Sequence, residues 1–118
     1  MEINEKPLLD VVIEAYRLRM LTQSLSSHTT DIRLSKRAVN ALSRFDKHFM
    51  ESLKSLGMEI LDFTGAAYDI GLPVHPINLE DFSPETPLVI EMMIEPVIKE
   101  YGTANILKPG VVALARAE

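Results

Sequence analysis

The stretch Leu53-Lys54-Ser55-Leu56-Gly57-Met58-Glu59-Ile60-Leu61 decides how the chain is read, because the sequence changes character at Gly57. Before that residue there is no glycine and one proline, Pro7; after it come the other six prolines and the remaining glycines. Helix interiors exclude both residue types, whereas turns and strand ends use them. The expectation is an α+β chain. Residues 1–57 form a helical hairpin, and residues 58–118 form a small, mostly antiparallel β domain.

Working back from Gly57, the apolar positions Ala38, Leu42, Phe45, Phe49, Leu53 and Leu56 recur at spacings of four and three. That is one face of an amphipathic helix, close to a coiled-coil seam. Gly57 falls where a left-handed C-terminal cap is expected. The helix starts between Asp31 and Lys36. A first helix starts near Pro7, with Asp10 and Glu14 suited to its positive end. Its stripe is Leu9, Ile13, Tyr16 and Met20, widened by Leu8, Val12, Ala15 and Leu18. So broad a face suits more than one neighbour. Ser26 to Thr30 reads as a polar turn. Two such helices leave apolar surface uncovered, and two hairpins complete a four-helix bundle. A homodimer is therefore expected, its interface built from Leu9, Ile13, Tyr16 and Met20 with Leu42, Phe45, Phe49 and Leu53.

Working forward, Glu59-Ile60-Leu61 reads as a strand, followed by a turn at Phe63-Thr64-Gly65. Leu72 to Ile77 carries Pro73 and Pro76, which confines it to an edge or an extended loop. Leu88 to Ile94 is the strongest buried strand. Ile106-Leu107 and Val111 to Leu114 make a last strand or pair, with Lys108-Pro109-Gly110 as a kink or bulge between them.

The net charge of −5 is unevenly spread. Residues 1–56 carry nine Lys/Arg against seven Asp/Glu, and residues 57–118 carry three against ten. An acidic second half opposes phosphate-backbone binding and suits docking on a basic protein surface. Without cysteine there is no disulfide, thiolate metal site or cysteine nucleophile, and the expected location is cytoplasmic. No apolar run reaches membrane-spanning length, so no membrane partner is expected. His28, His48 and His75 have no partners at metal-ligand spacing beyond the single pair His48 and Glu51. No serine sits in a nucleophile elbow, and nothing marks a pocket around Asp69, Glu80 and Asp81. Neither a cofactor nor an enzyme activity is expected. The basic run Arg33, Lys36, Arg37, Arg44 and Lys47 reads as a solvated helix face. Glu80, Asp81 and Glu85 form an acidic turn around Phe82 and Pro84 that can meet basic groups on a partner.

From Leu53 onward the chain resembles the C-terminal part of the GrpE family of co-chaperones. The resemblance rests on Leu56-Gly57-Met58-Glu59-Ile60, Gly65-Ala66-Ala67-Tyr68-Asp69, Val74-His75, Leu79-Glu80-Asp81 and Pro84. It continues through Val89 to Ile94 and Ile106-Leu107-Lys108-Pro109-Gly110-Val111-Val112. Leu8-Leu9-Asp10-Val11-Val12 looks like the start of that family's first bundle helix. The resemblance implies a dimer whose β domain presses on the ATPase domain of a DnaK-type chaperone and speeds ADP release. Met93 and Lys108 match contact positions of that family, and Asn105 stands where a contacting arginine is common. Three departures accompany the match. About six residues precede the first bundle helix, so the long paired helix is expected to be missing. Pro96-Val97 replaces a glycine-aromatic pair. The connection Ile98 to Asn105 is about three residues longer. These departures favour an alternative, a non-exchanging adaptor dimer on a divergent actin-fold ATPase.

Overall fold

The computed structural model describes residues 5–118, without the side chain of residue 5. The chain divides into two compact units, Met1–Gly57 and Met58–Glu118.

The first unit holds two helices, α1 (Glu5–His28) and α2 (Ile32–Ser55). α1 runs through Ser26 to His28, which the sequence assigns to a turn. Ser26 and Ser27 donate back to the carbonyls of Gln23 and Ser24 at 2.9 Å each. His28 Nδ1 lies 2.7 Å from the Ser24 carbonyl. These local bonds satisfy the polar side chains without leaving the helix. Only Thr29 to Asp31 separates the helices. Asp31 caps α2, accepting from the Leu34 amide at 3.1 Å. The helix closes where Gly57 takes φ +76° and donates to the Lys54 carbonyl. A side chain there would strain the backbone.

The second unit contains six short strands: β1 (Met58–Leu61), β2 (Val74–Pro76), β3 (Leu88–Glu95), β4 (Val97–Glu100), β5 (Ile106–Lys108) and β6 (Gly110–Arg116). They form two three-stranded sheets, ordered β1-β4-β5 and β2-β6-β3. All pairs are antiparallel except β2 with β6. β2 lies at an edge, a place open to a strand that carries Pro76 and follows Pro73. The free edge of β3 is covered by Gly65 to Tyr68, through Gly65 N to Ile90 O (2.8 Å) and Tyr68 N to Leu88 O (2.8 Å). Beyond the end of β2, Asn78 continues the ladder with its side chain. It donates to the Leu114 carbonyl and accepts from the Leu114 amide, both at 2.9 Å.

β4 replaces part of the connection read from Ile98 to Asn105. Pro96 breaks the alternation ahead of it, and four residues give too little periodicity to read. Burial marks it nonetheless: Val97 and Ile98 are fully covered. The core of this unit gathers Leu88, Ile90 and Met93 of β3, Val112 and Leu114 of β6, Val74 and Val97. Phe63, Tyr68 and Phe82 pack against it from the loops.

Candidate partner-binding surfaces

The outward face of β3 is set by a fault in its register. Ile90 pairs with Leu114, and Met92 pairs with Ala113, so Glu91 is an extra residue. An extra residue in one strand reverses the in–out alternation beyond it. Leu88 and Ile90 therefore point inward, Glu91 and Met92 both point outward, and Met93 returns to the core. This corrects the assignment of Met93 to a partner contact: Met93 is 3% exposed, whereas Met92 is 51% exposed. A second shift follows between Met93 and Glu95. Gly110 closes the same region. A Cβ on it would stand 2.9 Å from Val97 Cγ2 and 3.0 Å from Met93 Cε, too close for either neighbour.

Lys108 is half-buried and its ammonium already has partners. It donates to Glu95 Oε1 at 3.1 Å and to the Pro109 carbonyl at 2.8 Å. It thus meets an acidic group of its own chain, which reduces the charge it could offer elsewhere. Asn105 is exposed at the β4–β5 connection, where its amide donates to Glu100 Oε2 at 3.2 Å. Glu80 and Asp81 lie exposed on a 3-10 turn, Leu79–Asp81, and Pro84 is exposed just after it. Leu79, Glu80 and Pro84 line one depression together with Tyr68, Asp69, Ile70 and Phe82. Ile70 was not singled out by the sequence, because a lone isoleucine between aspartate and glycine has no periodic context.

On the helical unit, Ile13, Tyr16 and Leu53 are buried within the single chain, so they leave almost no surface for a second copy. Leu9, Met20, Leu42, Phe45 and Phe49 are half-buried. Phe45 and Phe49 stack at 4.9 Å. The apolar surface that stays open includes Val11, Leu18 and Leu25, spaced seven apart on α1, each more than 60% exposed. An apolar groove runs between Ala15, Leu18 and Thr22 of α1 and Ala41, Leu42 and Phe45 of α2. The sequence stripe located the covered side of each helix; of the widening positions Leu18 alone stays open, since Val12 is buried and Leu8 and Ala15 are half-buried.

An ion pair between Arg19 and Asp46 ties α1 to α2. Arg19 donates to both carboxylate oxygens of Asp46, at 2.9 and 2.7 Å, and also reaches Gln23. The doubly bonded guanidinium holds the Asp46 carboxyl below the usual carboxylate range, against a smaller opposing effect of burial. The same bonds hold Arg19 above its ordinary value.

Among the described residues, no cluster of three or more His, Asp or Glu side chains is placed to hold a metal ion. No helix there is long and apolar enough to cross a membrane. No family model, curated protein or solved structure matches the chain.

Proposed function

We propose that this chain is a GrpE-like exchange factor, a homodimer that binds the ATPase domain of a DnaK-type chaperone and promotes ADP release. The observation that carries the reading is the architecture: a helical hairpin closed at Gly57, followed by a two-sheet β unit. That is the arrangement the sequence resemblance implies. The outward side of β3 supplies a suitable contact, with exposed Met92 paired to Ala113 and half-buried Ile94 farther along. Methionine fits irregular surfaces, and small alanines let a partner approach closely.

The action needs no bond made or broken. A protein that binds the open form of a nucleotide cleft more tightly than the closed form shifts the population toward opening. Linkage then requires ADP to weaken the complex by the same factor that the complex weakens ADP. The exposed groove on α1 and α2 supports dimerisation, since a second hairpin would cover it.

The test loads a DnaK-type ATPase domain with fluorescent ADP and follows release into unlabelled ATP. The expected result is acceleration that saturates with added protein and falls about tenfold in Met92→Asp. Met93→Asp is the wrong variant, because it places a charge in the core. Binding without acceleration would transfer the reading to the non-exchanging adaptor. Absence of both would remove this class of partner.

A further inference from the structure

We infer that the groove between Asp69–Leu72 and Leu79–Pro87 docks a linear segment of a partner protein, apolar at its anchor and flanked by lysine or arginine. This stands whether or not the chain exchanges nucleotide.

The groove is built from turns that hold apolar side chains out of the core. Asp69 accepts from the Gly71 amide at 3.1 Å through its side chain, and from the Leu72 amide at 2.9 Å through its carbonyl. The resulting turn leaves Ile70 at its tip, 91% exposed. Opposite, Asp81 N donates to Asn78 O and Phe82 N to Leu79 O, which fixes Leu79 at 44% exposed. Thr86 N donates to Ser83 O at 3.0 Å and fixes the outer rim. Two adjoining depressions share Tyr68, Ile70, Leu79 and Glu80 as a common wall. Neighbouring depressions of this kind suit alternate side chains of an extended segment. Because the turns already fix the backbone, docking costs little extra ordering.

Charge selects the occupant. Residues 55–98 contain eight Asp/Glu and not one Lys or Arg. Asp69 and Glu80 line the groove, and neither lining set contains a lysine or arginine. Asp81 and Glu85 follow in the adjacent turns. A nucleic-acid backbone or an anionic lipid surface would be repelled by this field. A basic segment is drawn in, and the apolar wall gives it an anchor that charge alone does not provide.

The probe is a fluorescein-labelled hexapeptide alternating lysine and leucine, titrated with the full chain and followed by anisotropy. Saturable binding is expected, weakening as salt rises. Ile70→Ser should weaken it about tenfold, the size of one lost apolar anchor. Glu80→Lys should weaken it as well, and thermal melts should show both variants folded, since both side chains are exposed. A matched peptide with serine in place of leucine should bind at least about tenfold more weakly. Equal binding of that serine peptide, or of a glutamate–leucine peptide, would overturn the proposal. So would an unchanged affinity in Ile70→Ser, or tighter binding to duplex RNA or anionic vesicles than to the peptide.

Discussion

Met92 and Met93 are adjacent, chemically identical and differently placed, so they isolate what position contributes. Met93 packs in the core against Val97 and Gly110, and Met92 faces outward. Truncating Met93 to alanine leaves a cavity and should cost about 2–5 kcal/mol. The same change at Met92 should stay within about 0.5 kcal/mol. Urea titrations of the two variants check the pair. Asn78 makes a second residue-scale case. Replacing it with alanine removes both of its bonds to Leu114 and strips the central strand of a donor and an acceptor. A loss of about 1–3 kcal/mol is expected by the same measurement. The Arg19–Asp46 pair gives a pH signature. The folded-state pKa of Asp46 is lowered, so its contribution is present above the ordinary carboxylate pKa and is lost as pH falls through the folded value. Both side chains are partly exposed, which limits the contribution to about 0.5–1 kcal/mol. The stability gap between wild type and Asp46→Asn should be constant near neutrality and close below about pH 4.

At the scale of elements, β3 is a strand of two phases joined by a bulge. Deleting Glu91 would remove the extra residue and restore regular alternation with Ile90 inward, Met92 outward and Met93 inward, the faces they already take. Because both faces and the pairing with β6 are kept, the deletion should lower the melting temperature little more than Glu91→Ala does, whereas a slipped register would exchange the faces and lower it much further. The contrast between a deleted and a truncated residue, read by thermal circular dichroism, separates phase from side chain. The end of α2 allows a comparable test. Gly57→Ala meets open space but keeps a positive φ, so the expected cost is strain of about 1–2 kcal/mol without a clash. Gly110→Ala has the opposite problem, an ordinary φ with neighbours at 2.9 to 3.1 Å, and should cost more because β3 or Val97 must shift.

At the scale of the whole molecule, the question is what covers the helices. Val11, Leu18, Leu25, Ile32, Leu34 and Val39 each remain more than half exposed, apolar area that is available for a partner to bury. If a second copy covers it, sedimentation equilibrium should return about twice the 13.2 kDa chain mass. Leu18→Asp, on the open side of α1, should return the single-chain mass. Wild type sedimenting as one chain at micromolar concentration would exclude the bundle and leave the groove to a different helix.

The sequence by itself determined the α+β order, the two helices, the glycine that ends the second and the exclusion of the proline-bearing segment from the middle of a sheet. Each of these depends on local physics: helical periodicity, the absence of a Cβ at Gly57, and the missing amide of proline. The acidic bias of the second half was equally legible, since charge is a sum over composition. Tertiary structure alone decided which methionine faces out, because the bulge at Glu91 forms only when β3 meets β6. It also decided that Val97 and Ile98 form a strand, that Lys108 is matched by Glu95, and that Ile70 stands at the rim of a groove. A pattern of alternating residues specifies faces only relative to a register, and register is a property of two strands rather than one.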